Sequence, residues 1–509
     1  MVALEDVAGS LLQKPSDAAR QVPSRAPSSY KPLHSFALQK QRSYKQQFGD
    51  MYFLRLTKIK PAVDEVAAAS WKDTVIAGET AQRVERVLDV RQGELCWVTG
   101  TVYMDMPLKP SILEDVSKDR WISAPISTPK YFSEDGSDQA MLEDESGRIR
   151  LVGDMLKTIH LVTGCIIAVM GTENANGELE VIDVKFPDLC PQPKRWNLSK
   201  PPASNGTTKK KAKDEDETMA DAPVKPSGNK KIAIVSGLSF SGDDASYALD
   251  LDLLLEYLLG EALSPAAQTD ISQISRLIIA GNSILTTDRK PDTAAVVTDE
   301  KKTHKKYGYD ASAYNPLPSQ LFDRFLAELL PSIPVTLLPG VQDPANASYP
   351  QQPIHTAMFP SARAYSSAPD APANQPGWFD SVTNPWEGEV EGWRVLGTGG
   401  QNVDDVFKYV GTDDRLGMME AMCRWRCCAP TAPDTLWSYP FQDDDPFVMG
   451  TCPHLYIVGC QPHFSTKVIH GPDGQEVRLI TVPTFSESKE LVIVDTETLE
   501  VERIKISAV

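Results

Sequence analysis

The chain reads as an α+β multidomain protein, a small β-barrel followed by an α/β layered sandwich, on three observations. Several short strands with almost no helix between them occupy residues 86 to 187. From residue 230 onward apolar strands alternate with amphipathic helices, which is the pattern of a layered α/β domain. Between the two regions, residues 197 to 229 are rich in proline and in blocks of opposite charge, and 509 residues exceed what one hydrophobic core organises. The expected organisation is a mostly flexible segment at 1–40, a barrel at 41–196, a charged low-complexity linker at 197–229 and a sandwich at 230–509.

Residues 1–40 are Ser-, Pro-, Ala- and Gln-rich with weak periodicity, hence the expectation of flexibility. Apolar and polar residues alternate over 51–58, which predicts a first strand, and further strands are expected at 86–90, 94–104, 139–153, 163–171 and 178–187. Within 139–153, Ser146 and Gly147 supply a hairpin turn that tolerates positive φ. The strand count fits a five-stranded OB barrel. Such barrels bind single-stranded DNA through aromatic platforms and basic grooves. Trp97 and Tyr103 share a strand face by even spacing, but basic residues are not concentrated here, so burial and a protein-binding role are expected instead. A near-match to a sliding-clamp peptide, Gln46, Gly49, Tyr52 and Phe53, has glycine where an apolar anchor belongs.

In the linker, Lys209, Lys210, Lys211 and Lys213 adjoin Asp214 to Glu217, a solvated charge run or a nuclear import signal. Leucines between 249 and 259, and an apolar stripe from Leu321 to Leu330, predict buried helices. A charged insertion at 287–316 containing His304 separates them. Strands at 477–482, 491–495 and 502–506 close the domain.

Four strand-then-loop segments bear on function. They are IAIVSGLS (232–239), LIIAGN (277–282), VTLLPGVQD (335–343) and LYIVGCQP (455–462). Any one alone is an ordinary buried strand, but all four in this order resemble the metal loops of a calcineurin-like metallophosphoesterase. The resemblance implies that Gly237 and Ser239 stand where Asp-x-His is written, and Asn282 where a bridging Asp is. It likewise implies that Val341 and Gln342 replace Asn and His, that Cys460 and Pro462 replace two histidines, and that Asp343 alone survives. Two divalent ions about 3.5 to 4 Å apart need carboxylates between them and fixed oxygen or imidazole donors. Gly, Ser, Asn, Val, Gln, Cys and Pro supply almost none, so the expectation is a phosphoesterase-like fold with no metal, no cofactor and no hydrolysis. The opposing hypothesis, a working enzyme with displaced ligands, has to recruit His463, His454 or Asp343.

The stretch CAPTAPDTLWSYPF (428–441) with Asp445, Pro446 and Phe447, and GTGGQNVDD (397–405), resemble the B-subunit family of replicative DNA polymerases. Within that family the run YKQQFGDMYFLRL (44–56) is similar to the delta branch. The resemblance covers roughly residues 35 to 509. It implies a non-catalytic nuclear subunit for DNA replication and repair. Its implied partners are the catalytic subunit, through a cysteine-rich C-terminal domain, and a third, clamp-binding subunit, with polymerase zeta as a further host. The alternatives are an independent single-strand DNA binder, and the equivalent subunit of polymerase alpha or epsilon.

Composition agrees with a scaffold. The formal charge of −18 disfavours unaided contact with phosphate backbones, so DNA is expected to be reached through partners. No run of about 18 apolar residues occurs to span a membrane, and the first residues lack a basic head and apolar run. Eight cysteines contain no Cys-x-x-Cys pair, which predicts buried reduced thiols. Cys423, Cys427 and Cys428 are expected on one helix.

Overall fold

The computed structural model describes residues 23–43, 47–76, 78–110, 129–201, 229–242, 245–261, 264–285, 315–367 and 376–506. The lysine run, the acidic block beside it and His304 lie outside the described residues.

Residues 23–33 run as a strap across the second domain. Ala26 N–H donates to Ser272 O (2.8 Å), and Arg25 donates to Leu258 O (2.8 Å) and Ile271 O (3.1 Å). β1 (Tyr30–Leu33) then pairs antiparallel with the edge of a sheet in the second domain, which corrects the expectation of flexibility for that part of 1–40. Tyr30 is the anchor: its hydroxyl donates to Asp380 (2.6 Å) and its ring carries the Arg276 guanidinium at 3.9 Å.

The strand expected at 51–58 is instead the start of a long helix, α1 (Gly49–Trp71). Its buried residues, Met51, Arg55, Leu56, Ile59, Val63, Ala67 and Trp71, recur every three or four positions, so the 3.6-residue period overrides the short alternation. The stretch expected as a strand at 86–90 is a turn of 3₁₀ helix at Val87–Asp89. The barrel follows as β2 (Gln82–Arg83), β3 (Leu95–Asp105), β4 (Gln139–Glu143), β5 (Arg148–Val152), β6 (Ile166–Glu173) and β7 (Glu178–Lys185). Its order is β2-β3-β4-β5-β7-β6, and β3 pairing with β6 closes it. Alternate residues of β3 divide its faces. Val98 and Val102 point to the interior, whereas Leu95 and Trp97 pack under α1, where Trp97 meets Trp71 at 5.8 Å.

The second domain is two six-stranded sheets packed face to face. Its elements are β8 (Lys231–Val235), α2 (Ala245–Leu259), α3 (Pro265–Ile271), β9 (Ile274–Ala280), α4 (Leu317–Leu329), β10 (Val335–Leu338), β11 (Phe379–Ser381), β12 (Trp386–Val390), β13 (Trp393–Thr398), α5 (Gln401–Tyr409), α6 (Arg415–Arg424), β14 (Leu455–Gln461), β15 (Ser465–His470), β16 (Glu476–Pro483), α7 (Phe485–Ser488), β17 (Glu490–Asp495) and β18 (Val501–Lys505). One sheet runs β11-β10-β9-β8-β17-β18 and the other β1-β12-β13-β14-β16-β15. Ile232, Ile234, Ile278, Leu338, Ile457 and Ile480 fill the layer between them. Strands buried on both faces read as continuous apolar runs, as these do. Helix α6 ends at Arg424, so Cys423 is helical while Cys427 and Cys428 fall just beyond it, against expectation. All eight thiols are free, seven of them buried.

Barrel and sandwich share one core. Leu142, Val162 and Val169 of the barrel belong to the same buried cluster as Met418, Trp425, Phe447 and Tyr456 of the second domain. Arg55 of α1 forms a fully buried ion pair with Asp445 (2.8 Å) and donates to Pro430 O (2.6 Å). Gly164 fits at that seam because a Cβ there would lie 2.1 Å from Pro430 O.

Candidate functional site where four strand ends converge

The loops after β8, β9, β10 and β14 meet at the carboxyl ends of parallel strands, the place where open α/β sheets form crevices. Backbone bonds tie them. Gly237 N–H donates to Gly281 O and Ser239 N–H to Asn282 O, each at 2.9 Å. The Asn282 carboxamide oxygen accepts Gln342 N–H (3.0 Å), which fixes the third loop to the second. The fourth is held by Ser236, whose Oγ donates to Ala280 O (2.6 Å) and accepts Cys460 N–H (2.7 Å).

The approach is close enough to require glycine. A Cβ on Gly459 would lie 1.9 Å from Ala280 O, and one on Gly340 would lie 2.3 Å from Asn282 N. Gly237, Ser239, Asn282 and Cys460 all have positive φ, at 63°, 45°, 51° and 54°. Three of these are not glycine, and a left-handed backbone costs such residues on the order of 1 kcal/mol each.

Of the eight positions singled out in the sequence, Gly237, Ser239, Asn282, Asp343 and Cys460 are brought together, Gln342 joins them through its backbone N–H to Asn282 while itself exposed, and Val341 and Pro462 stand exposed on the same loops. Asp343 is buried and accepts Ile284 N–H and Gly340 N–H, both at 2.7 Å, so its carboxylate staples two loops. Burial pushes its pKa up to about 6 despite those donors. The Cys460 sulfur lies 3.2 Å from Ser236 Oγ, and burial raises its pKa to about 12, so it is a thiol and not a nucleophile at neutral pH. His463 is exposed on the fourth loop. His454 precedes β14, at the strand end opposite the site, and its Nδ1 accepts Arg394 N–H (3.1 Å).

Behind these loops lies a neutral amide network that the sequence did not disclose. Asn384 Nδ2 donates to both Gln351 and Gln401 (2.9 Å each), Gln401 donates to Gln351 (2.8 Å), and Gln351 donates to Gly340 O (3.0 Å). Gln401 sits in the quoted GTGGQNVDD motif, but nothing in the sequence announced Gln351 or Asn384. A cleft of about 590 Å³ opens in front of Ser239, Asn282 and Gln342. Its lysine, Lys489, is paired with Asp250 at 2.9 Å. On the barrel, Trp97 is buried beneath α1 and its indole is no platform for a base.

The chain is thus a small barrel joined through a common core to a two-sheet α/β domain whose strand-end loops are tightly stapled. Residues 232–466 match the B-subunit family of DNA polymerases alpha and epsilon, and residues 47–184 match the DNA polymerase delta subunit OB-fold domain. Among individual relatives, the DNA polymerase delta small subunit of Saccharomyces cerevisiae is 33% identical over 493 residues, covering 92% of this chain and 91% of that one. That of Oryza sativa is 32% identical, covering 93% and 96%, and DNA polymerase delta subunit 2 of Drosophila melanogaster is 30% identical, covering 95% and 99%. The chain belongs to the family of DNA polymerase delta small subunits.

Proposed function

We propose that the chain is the non-catalytic scaffold of a nuclear DNA polymerase delta, joining the cysteine-rich C-terminal domain of the catalytic subunit to a third, clamp-binding subunit in replication and repair, and serving polymerase zeta in the same way. The observation that carries this reading is the single core that runs from barrel to sandwich, since a bridge transmits position only if its two halves are rigidly joined. The convergent loops are read as a phosphoesterase crevice whose chemistry has gone. Their donor set does not fit two divalent cations: one carboxylate remains, and both its oxygens are already held by backbone N–H groups. Asp343, Ser236 and the Gln351 amide hold the loops together by hydrogen bonds.

The test pairs two measurements on the full chain. Pull-down with the catalytic subunit's C-terminal domain and, separately, with the third subunit is expected to capture both. Supplied with manganese and a generic phosphodiester, the pure chain is expected to release no product above a buffer control. Hydrolysis that vanished on Asp343→Ala would overturn the scaffold reading.

A further inference from the structure

A second surface lies away from the convergent loops, at the start of α1. There Tyr52 and Phe53, the β3 residue Tyr103 and the β4–β5 hairpin enclose a cleft of about 440 Å³ that reaches Asp434 of the second domain. Its floor is rigid. Lys109 bonds Asp434 (2.7 Å) and lies 4.5 Å from the Tyr103 ring centre, so barrel and sandwich are locked together beneath it. Its lip is apolar and open: Phe53 is 63% exposed, and Phe48, immediately before the helix, is 46% exposed. Phe53 lines the cleft itself and Phe48 stands beside it, and aromatic side chains that lose little entropy serve as anchors of docking sites. In the sequence, Tyr52 and Phe53 belong to a near-match to a clamp-binding peptide. Their setting within α1, packed on a barrel, makes them part of a receiving surface instead.

The charge around the lip selects the occupant. Glu143 is tied to Arg148 (2.8 Å) and Asp144 accepts the Val87, Ser146 and Gly147 N–H groups, but Glu145 at the hairpin tip and Asp50 in the first turn of α1 are exposed. The chain as a whole carries −18, so a second copy is repelled from this lip. We propose that this cleft is the docking site for an apolar segment flanked by lysine or arginine on another protein subunit, its apolar side chain seated against Phe53 and Tyr103 and its cations meeting Glu145 and Asp50. This inference rests on the scaffold reading above and adds the residues that perform it.

The experiment uses the full chain and two probes, the polymerase delta catalytic subunit and the third subunit, each purified. Phe53→Glu and, separately, Glu145→Lys are compared with wild type by titration at two salt concentrations, with thermal melts confirming that both variants fold. Phe53→Glu is expected to weaken one of the two probes by about tenfold or more, and Glu145→Lys to weaken the same probe and flatten its salt dependence, while the other probe stays within about twofold. If wild type captures both probes and neither variant changes either affinity, the cleft is not a docking site. A change confined to self-association, measured by sedimentation, would assign it to a second copy and overturn the proposal. Failure of wild type to capture either probe would remove the scaffold reading, and this inference with it.

Discussion

At the scale of single residues, Asp343 is the buried carboxylate that ties two of the convergent loops, and its titration is measurable. Its folded pKa of about 6 lies above the usual carboxylate value because burial penalises the charge more than the Ile284 and Gly340 N–H groups relieve it. A raised folded pKa means that the native state binds the proton more tightly than the unfolded chain. Stability from this group is therefore complete below about pH 4 and is lost as pH rises through about 6, a change of roughly 3 kcal/mol. In Asp343→Asn that titration is absent. Chemical unfolding at pH 7 and pH 4 should show wild type gaining on the variant by about that amount as the pH falls. A constant difference across the range would mean that the carboxylate is not penalised by burial.

At the scale of elements, the convergent loops depend on glycines that admit no side chain. Gly459→Ala places a methyl group 1.9 Å from Ala280 O, between two sheets that have no room to part, and should cost about 2 kcal/mol or more by forcing the strand ends to shift. Gly49→Ala is the control. Gly49 lies in the first turn of α1 with nothing within 4 Å of the added carbon, and the change should stabilise by roughly 0.5 to 1 kcal/mol. Paired denaturant titrations that gave the two substitutions the same sign would contradict the packing.

The same elements show what is legible in the sequence. Strand ends such as LIIAGN are readable because a doubly buried strand is a short continuous apolar run, rich in β-branched residues, that stops at a glycine. The start of α1 misleads because Tyr52, Leu54 and Leu56 alternate like a strand, while the longer stripe from Met51 through Arg55 and Ile59 to Trp71 includes a buried arginine that no apolar pattern contains. β1 is hidden for a related reason. Tyr30 to Leu33 include lysine and proline, and they become a strand only because the β12 edge, far along the chain, offers hydrogen bonds to complete. The amide network of Gln351, Asn384 and Gln401 joins residues up to 50 positions apart, a separation at which no local period leaves a mark.

At the scale of the whole molecule, the two domains are bound into one unit by a buried charge pair set in a shared core. Arg55 and Asp445 both have fully buried side chains, and the pair crosses from α1 to the proline-rich segment of the second domain. Arg55 also binds Pro430 O, the atom against which Gly164 of the barrel is packed. Removing one member leaves the other charged and unsolvated, so Arg55→Ala should cost about 3 to 5 kcal/mol, well above a surface ion pair such as Arg324 with Glu328. Replacing both, as Arg55→Met with Asp445→Leu, removes the desolvation penalty together with the attraction and should recover much of that loss. Because Leu142 and Val169 of the barrel share their cluster with Met418 and Phe447 of the sandwich, calorimetry on the wild type should record one cooperative transition. In Arg55→Ala the barrel loses its fully buried ion pair to the sandwich, and a separate, earlier transition should emerge for it. Two independent transitions in the wild type itself would show that the halves are merely tethered, and a tethered pair would be too compliant to hold two partner subunits in fixed register.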